Sequence, residues 1–140
     1  ARRGPPRPSR VSAHGAGKYL IEGITRACRS GHSADIAAVA QQFLAASAAL
    51  DAEQCVFALN RLAHAGAYRD RAFWRRAAEA LTPRLPELRG DVLGTAANAF
   101  SRAGVPVPGL MQAISARVLA DLEGTPVRSL TLVLHSLRRE

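Results

Sequence analysis

Residues 59–66 read Leu59-Asn60-Arg61-Leu62-Ala63-His64-Ala65-Gly66, and residues 97–104 read Ala97-Asn98-Ala99-Phe100-Ser101-Arg102-Ala103-Gly104. In both, asparagine is followed two places later by a large apolar residue, glycine closes the stretch, and the offset is 38 residues. Upstream, Ile24-Thr25-Arg26-Ala27-Cys28-Arg29-Ser30-Gly31 falls into the same frame at an offset of 35. Downstream, Leu134-His135-Ser136-Leu137-Arg138-Arg139-Glu140 continues it at an offset near 37. A period of about 34–47 residues is that of stacked helix pairs. One helical hairpin cannot bury its own apolar face, so neighbours must share a core.

The chain around these stretches reads as helical. From Lys18 onward alanine and leucine dominate, and β-branched or aromatic runs are sparse. Gly31, Gly66, Gly104 and Gly124 each follow an apolar-periodic stretch, where a left-handed C-cap is expected. Asp51 before Ala52-Glu53-Gln54 resembles a capping box, and Asp35, Asp70 and Asp91 stand near other starts. Thr125-Pro126 offers an N-cap with proline at the first helical position. The spacing predicts seven helices, over about 18–30, 34–49, 52–65, 70–82, 91–103, 108–123 and 126–139. Pro83 and Pro86 are expected to end or kink the fourth.

The fold class predicted is therefore all-α: a short α-solenoid of stacked hairpins over residues 18–140, with about three and a half repeats. The last helix carries Leu130, Leu132, Val133 and Leu137 with no successor to cover them. That face is expected to pack back on the third repeat or to meet a partner. Phe73, Arg76, Ala77, Ala80 and Leu81, and then Leu110, Met111, Ile114, Val118 and Leu119, form stripes read as core. Trp74 beside Phe73 is expected at a groove edge, with base stacking or a partner contact as the other reading.

Residues 1–17 differ in kind. The first ten, Ala1-Arg2-Arg3-Gly4-Pro5-Pro6-Arg7-Pro8-Ser9-Arg10, hold four arginines, three prolines and no acid. Proline and glycine at this density oppose a helix, so a disordered or extended basic arm is predicted. Three origins fit it: the remnant of an organellar transit peptide, an arm lying along RNA, or a solvated tail without a role.

Charge narrows the function. Across 140 residues Lys+Arg is 19 and Asp+Glu is 11, a formal net charge of +8. Lys18 is the lone lysine, so arginine makes up the rest. Such a balance suits a polyanion, and the guanidinium fork matches phosphate and stacks on bases. A GC-rich coding bias also inflates arginine with alanine and glycine, but it does not explain the excess over acids. Aligning the repeats puts Arg29, His64, Arg102 and Arg139 at one equivalent position, a ladder on helices ~8–10 Å apart. Arg26 and Arg61 form a shorter second column, broken by Ala99 and Ser136. With Arg2, Arg3, Arg7 and Arg10 of the arm, these are the candidate RNA-binding residues. The plainer reading is that cations near helix C-termini are favoured by the dipole. Arg69, Arg71, Arg75 and Arg76 make a further cluster, in which Arg75 and Arg76 reach RNA or pair with Glu79.

The run Asn98 to Gly104, with Asn60 to Gly66 and the linker Arg84-Leu85-Pro86-Glu87-Leu88, resembles the first-helix signature of octotricopeptide and heptatricopeptide repeat proteins. These are organellar α-solenoids, many of them found with RAP or FAST-kinase-like domains. The resemblance covers about residues 20–140, lacks the longer proline-tryptophan signature, and is closer to the heptatricopeptide type. It implies RNA binding in a mitochondrion, or alternatively a plastid. It is similar also to the extra repeat subunits of apicomplexan-type mitochondrial ribosomes, which implies rRNA and neighbouring ribosomal or repeat proteins as partners.

Catalysis is not expected. His14, His32, His64 and His135 are scattered, Cys28 and Cys55 read as small core residues, and no Gly-rich phosphate loop, paired-acid motif or His-Glu-x-x-His is present. Two cysteines exclude a disulfide framework and a four-cysteine zinc site, and no apolar run reaches a membrane span. No cofactor and no small-molecule substrate are expected. The rival classes are a protein-interaction scaffold in an organellar assembly such as a respiratory complex, and a free organellar RNA-stability factor.

Overall fold

The computed structural model describes residues 10–139. Among them are seven α-helices: α1 (Arg10–Ser30), α2 (Ser33–Ala46), α3 (Ala52–His64), α4 (Arg71–Leu81), α5 (Gly90–Ala103), α6 (Pro108–Ala120) and α7 (Val127–Leu137). Short 3₁₀ turns follow α2 (Ser47–Ala49) and α4 (Thr82–Glu87). Pro83 and Pro86 account for the second, because proline cannot donate to a continuing α-ladder.

The helices form two rows. α3 packs against α1 and α5, and α5 packs in turn against α7. Both ends of each pair identify the direction. Gly17 of α1 approaches Leu50 and Gln54 at the start of α3, while the Cys28 thiol lies 3.9 Å from the Arg61 carbonyl near its end. Arg89 bonds Glu53 at 2.8 Å at the N-terminal ends of α3 and α5, and Asn98 meets His64 toward the other. Gly90 and Gly94 of α5 meet Thr125 and Ser129 at the start of α7, and Arg139 shares a concavity with Phe100 and Gly104 at the far end. The row α1, α3, α5, α7 is thus parallel, with all four C-termini along one edge. α2, α4 and α6 form the second row, with the Thr82–Glu87 turn against α4, α6 and α3.

Caps set the helix ends. Asp51 and Gln54 close a reciprocal capping box on α3, and the Asp70 carboxylate accepts from the Phe73 amide at 2.8 Å. Gly31 and Gly104 adopt φ +70° and terminate α1 and α5. The other two glycines do not follow that expectation. After α3 the left-handed residue is Ala67, with φ 45°. Gly66 serves clearance instead: a Cβ there would come within 3.0 Å of Cys28 Sγ and 3.1 Å of the Leu62 carbonyl. Among the described residues Gly124 is also not left-handed; its amide donates to Asp121 Oδ1 at 2.9 Å. α7 starts at Val127 rather than Pro126, and the Thr125 hydroxyl donates to the Asp121 carbonyl at 2.7 Å instead of capping it. α6 stops at Ala120, three residues short of the predicted end.

The core joins both rows. Ile24, Leu59, Leu62, Phe73, Trp74, Phe100, Met111 and Ile114 are fully buried. Phe43, Phe73, Trp74 and Phe100 form a file of rings with successive centroids 6.3, 5.3 and 5.2 Å apart, crossing from α2 through α4 to α5. Trp74 therefore corrects its prediction. It has no exposed surface, and its Nε1–H donates to the Tyr68 carbonyl at 2.9 Å. Two adjacent residues of α4 are both buried because helices and the loop at Tyr68 flank it on more than one side. Of the predicted stripes, Arg76, Ala80 and Leu119 are exposed and the rest is core. On α7 Val133 packs inward, Leu130 and Leu132 are partly covered, and Leu137 is exposed. No helix among the described residues is long and apolar enough to cross a membrane.

The arm boundary also shifts. α1 begins at Arg10, so residues 10–17 are helical rather than extended. Gly17 is buried, and a Cβ on it would stand 2.8 Å from Gln54 Oε1 and 3.0 Å from Leu50 Cδ2. Packing against α3 thus favours a residue that is intrinsically poor in a helix. Arg2, Arg3 and Arg7, with the rest of residues 1–9, lie outside the described residues.

Candidate nucleic-acid interface

The candidate site is the edge where α1, α3, α5 and α7 end. Each predicted ladder residue is there. Arg29 is in the last turn of α1, His64 ends α3, Arg102 is in the last turn of α5, and Arg139 stands just past α7. All four are exposed. Arg26 and Arg61, about one turn earlier on α1 and α3, are exposed as well. Arg10 opens α1, at the opposite end of that helix, and so stands apart from the ladder.

The contacts bring two ladder positions, His64 and Arg102, near one another and set Arg139 against the end of α5. The Asn98 amide donates to Nε2 of His64 across 3.2 Å, linking α5 to α3. Partial burial, first, and then the guanidinium charges of Arg102 and Arg69 hold the His64 pKa below the ordinary imidazole value of 6.5. At neutral pH His64 is thus an uncharged hydrogen-bonding ring between arginines. Arg139 lines a concavity of about 70 Å³ with Phe100, Ser101, Gly104 and Pro106 at the end of α5. The buried Oγ of Ser101 has no partner among the described residues. At α1 the connection is through Arg61, whose carbonyl faces the Cys28 thiol and whose charge offsets part of the upward push that burial exerts on that thiol.

Glu53 and Asp91 occupy the first turns of α3 and α5. Arg89 pairs with both, at 2.8 Å and 3.6 Å. At the C-terminal edge the side chains of Arg26, Arg29, Arg61, Arg102 and Arg139 make no ion pair with any described residue. The dipoles of four parallel helices favour cations there, but they provide no counterion for the exposed guanidinium groups.

Two partners of the site were not singled out from the sequence. Asn98 was visible as a repeated letter, not as a group that orients His64. Arg69, assigned to a separate cluster, turns back to donate to the Ala63 and Tyr68 carbonyls at 3.2 and 3.1 Å and adds its charge beside His64. Arg75 lies elsewhere, by Glu79, Thr82 and Pro106. Arg84 is structural: its guanidinium donates to the Ser47 and Leu50 carbonyls at 3.0 and 2.7 Å and pairs with Glu87.

Comparison with protein-family models, with curated proteins and with solved structures found no match to this chain.

Proposed function

We propose that the chain is a short α-solenoid that binds RNA through its row of helix C-termini, as a non-catalytic subunit of an organellar ribosome, in the mitochondrion. Arg29, Arg102 and Arg139 contact successive phosphates, with Arg26, Arg61 and Arg69 beside them and His64 as a neutral hydrogen-bonding ring. Such contacts fix position and carry little sequence readout. Arg2, Arg3 and Arg7, which precede α1 in sequence, are further phosphate contacts in this reading.

One observation carries the RNA reading: Arg26, Arg29, Arg61, Arg102 and Arg139 lie exposed along a single edge of the first row and have no carboxylate partner among the described residues. The ribosome and the organelle rest on the resemblance of Asn60–Gly66 and Asn98–Gly104 to organellar repeat proteins. Sedimentation of the native particle tests both levels. A ribosomal subunit travels with a large particle and leaves it after RNase and high salt. A protein-held scaffold stays after RNase, and a free RNA factor never co-sediments; either result overturns the ribosomal assignment.

A further inference from the structure

The chain has four phenylalanines, and one of them stands outside the core. Phe43, Phe73 and Phe100 are at most 2 % exposed and belong to the file of rings described above. Phe57 is 45 % exposed and touches no other ring among the described residues. Its neighbours Val56 and Ala58 are fully buried, and α3 is packed between α1 and α5, so the ring is carried on a fixed backbone. The exposed part of that ring gains nothing from folding.

Phe57 is in register with the arginine edge. Phe57, Arg61 and His64 follow at spacings of four and three on one side of α3, and all are exposed. At 1.5 Å per residue the ring lies about 6 Å along the axis from Arg61 and about 10 Å from His64. That is the reach of a nucleotide from its phosphate to its base. Asn60 lies in the turn between; unlike Asn98, its equivalent on α5, its amide meets no partner among the described residues. The places equivalent to Phe57 on α1 and α5 hold Glu22 and Thr95, and Glu53, one turn before the ring, is paired with Arg89 at 2.8 Å. Phosphate is therefore drawn to the edge, and the group that reaches Phe57 is the neutral end of the nucleotide.

We infer that Phe57 is a stacking platform for one unpaired base of an RNA strand whose phosphates lie on the arginine edge. The inference rests on the RNA reading above and adds to it that the strand is single at this point, because a base within a duplex does not present its face. Stacking on an aromatic ring accepts any base, so the platform adds affinity with little sequence readout.

The probes are a short single-stranded oligouridylate and inorganic polyphosphate of similar charge, each titrated into the full chain. Phe57→Ala is expected to weaken oligouridylate binding roughly tenfold, leaving polyphosphate binding and the salt slope unchanged. Phe57→Leu, which keeps apolar bulk without a ring face, weakens it too. Phe57→Trp keeps the platform, and its added emission is quenched saturably by oligouridylate but not by polyphosphate. Oligouridylate affinity indifferent to Phe57→Ala, an equal loss for both probes, or an unquenched Phe57→Trp overturns the platform and leaves the arginine edge standing. A parent chain that does not bind oligouridylate overturns the RNA reading, and the platform with it.

Discussion

The Asn98 side chain on α5 and the His64 ring at the end of α3 meet at 3.2 Å, the amide donating to Nε2. This contact joins two equivalent stretches of sequence by their polar letters rather than by their apolar ones. It also requires a ring with a free lone pair, in keeping with a pKa lowered by burial and by Arg102 and Arg69. Above the ordinary imidazole value of 6.5 the ring is neutral in both folded and unfolded chains. Below it the unfolded chain takes the proton first, so stability falls as pH drops from that value toward the lower folded one. His64→Gln is expected to melt with a smaller loss than the parent between neutral and mildly acidic pH. Equal losses in the two proteins count against a neutral His64.

RNA affinity follows from the remaining charges. With about five to eight phosphates neutralised, the slope of log affinity against log salt is roughly −0.7 per phosphate for a single strand. Replacing Arg29, Arg102 and Arg139 with alanine flattens that slope by about 2. Adding His64→Ala leaves the slope at pH 7.5 where it was. A triple variant with the parental slope removes the edge from the interface.

Trp74 separates packing from stacking. It is the chain's one tryptophan and has no exposed surface, so its fluorescence reports the core. RNA titration is expected to leave its emission maximum unchanged; quenching that saturates with RNA contradicts this. Trp74→Ala loses about 3–5 kcal/mol in denaturant unfolding through the cavity it opens. Trp74→Phe loses less, mainly by leaving the Tyr68 carbonyl without its donor.

The α5–α7 contact depends on an absent side chain. A Cβ on Gly94 would fall on Ser129 Oγ and 2.7 Å from Ser129 Cα, where Gly94 N–H now donates to Ser129 Oγ. Gly94→Ala is expected to cost about 1–3 kcal/mol by overpacking, despite the better helix propensity of alanine. Ser129→Gly beside it recovers part of that loss in a double-mutant cycle. A neutral or stabilising Gly94→Ala refutes the close approach.

Much of the helical order is legible because local chemistry and packing agree. Asp51 with Gln54, Asp70, Gly31 and Gly104 mark ends that the structure keeps, and the Asn60 and Asn98 stretches become α3 and α5. Legibility fails where a distant contact decides. Gly17 reads as a helix breaker until Leu50 and Gln54 are seen to leave no room for a larger residue. Gly66 reads as a left-handed cap, but Cys28 needs its missing Cβ and Ala67 takes the positive φ. Trp74 reads as peripheral because neighbouring residues on a helix point apart, a rule that does not decide burial when α4 is flanked on several sides. At the arginine edge the positions are readable from the repeat, whereas the charge state of His64 depends on guanidinium groups arriving from other parts of the chain.

Arg84 has a consequence for how the molecule comes apart. From the turn after α4 it grips two carbonyls, Ser47 and Leu50, at the hinge of the preceding helix pair. A stack bound only by adjacent surfaces frays from its ends, one unit at a time. Here α2 and α3 cannot separate without surrendering bonds to a residue more than 30 positions downstream. Loss of order in the N-terminal half is thereby coupled to the middle of the chain, and amide exchange in both should rise together.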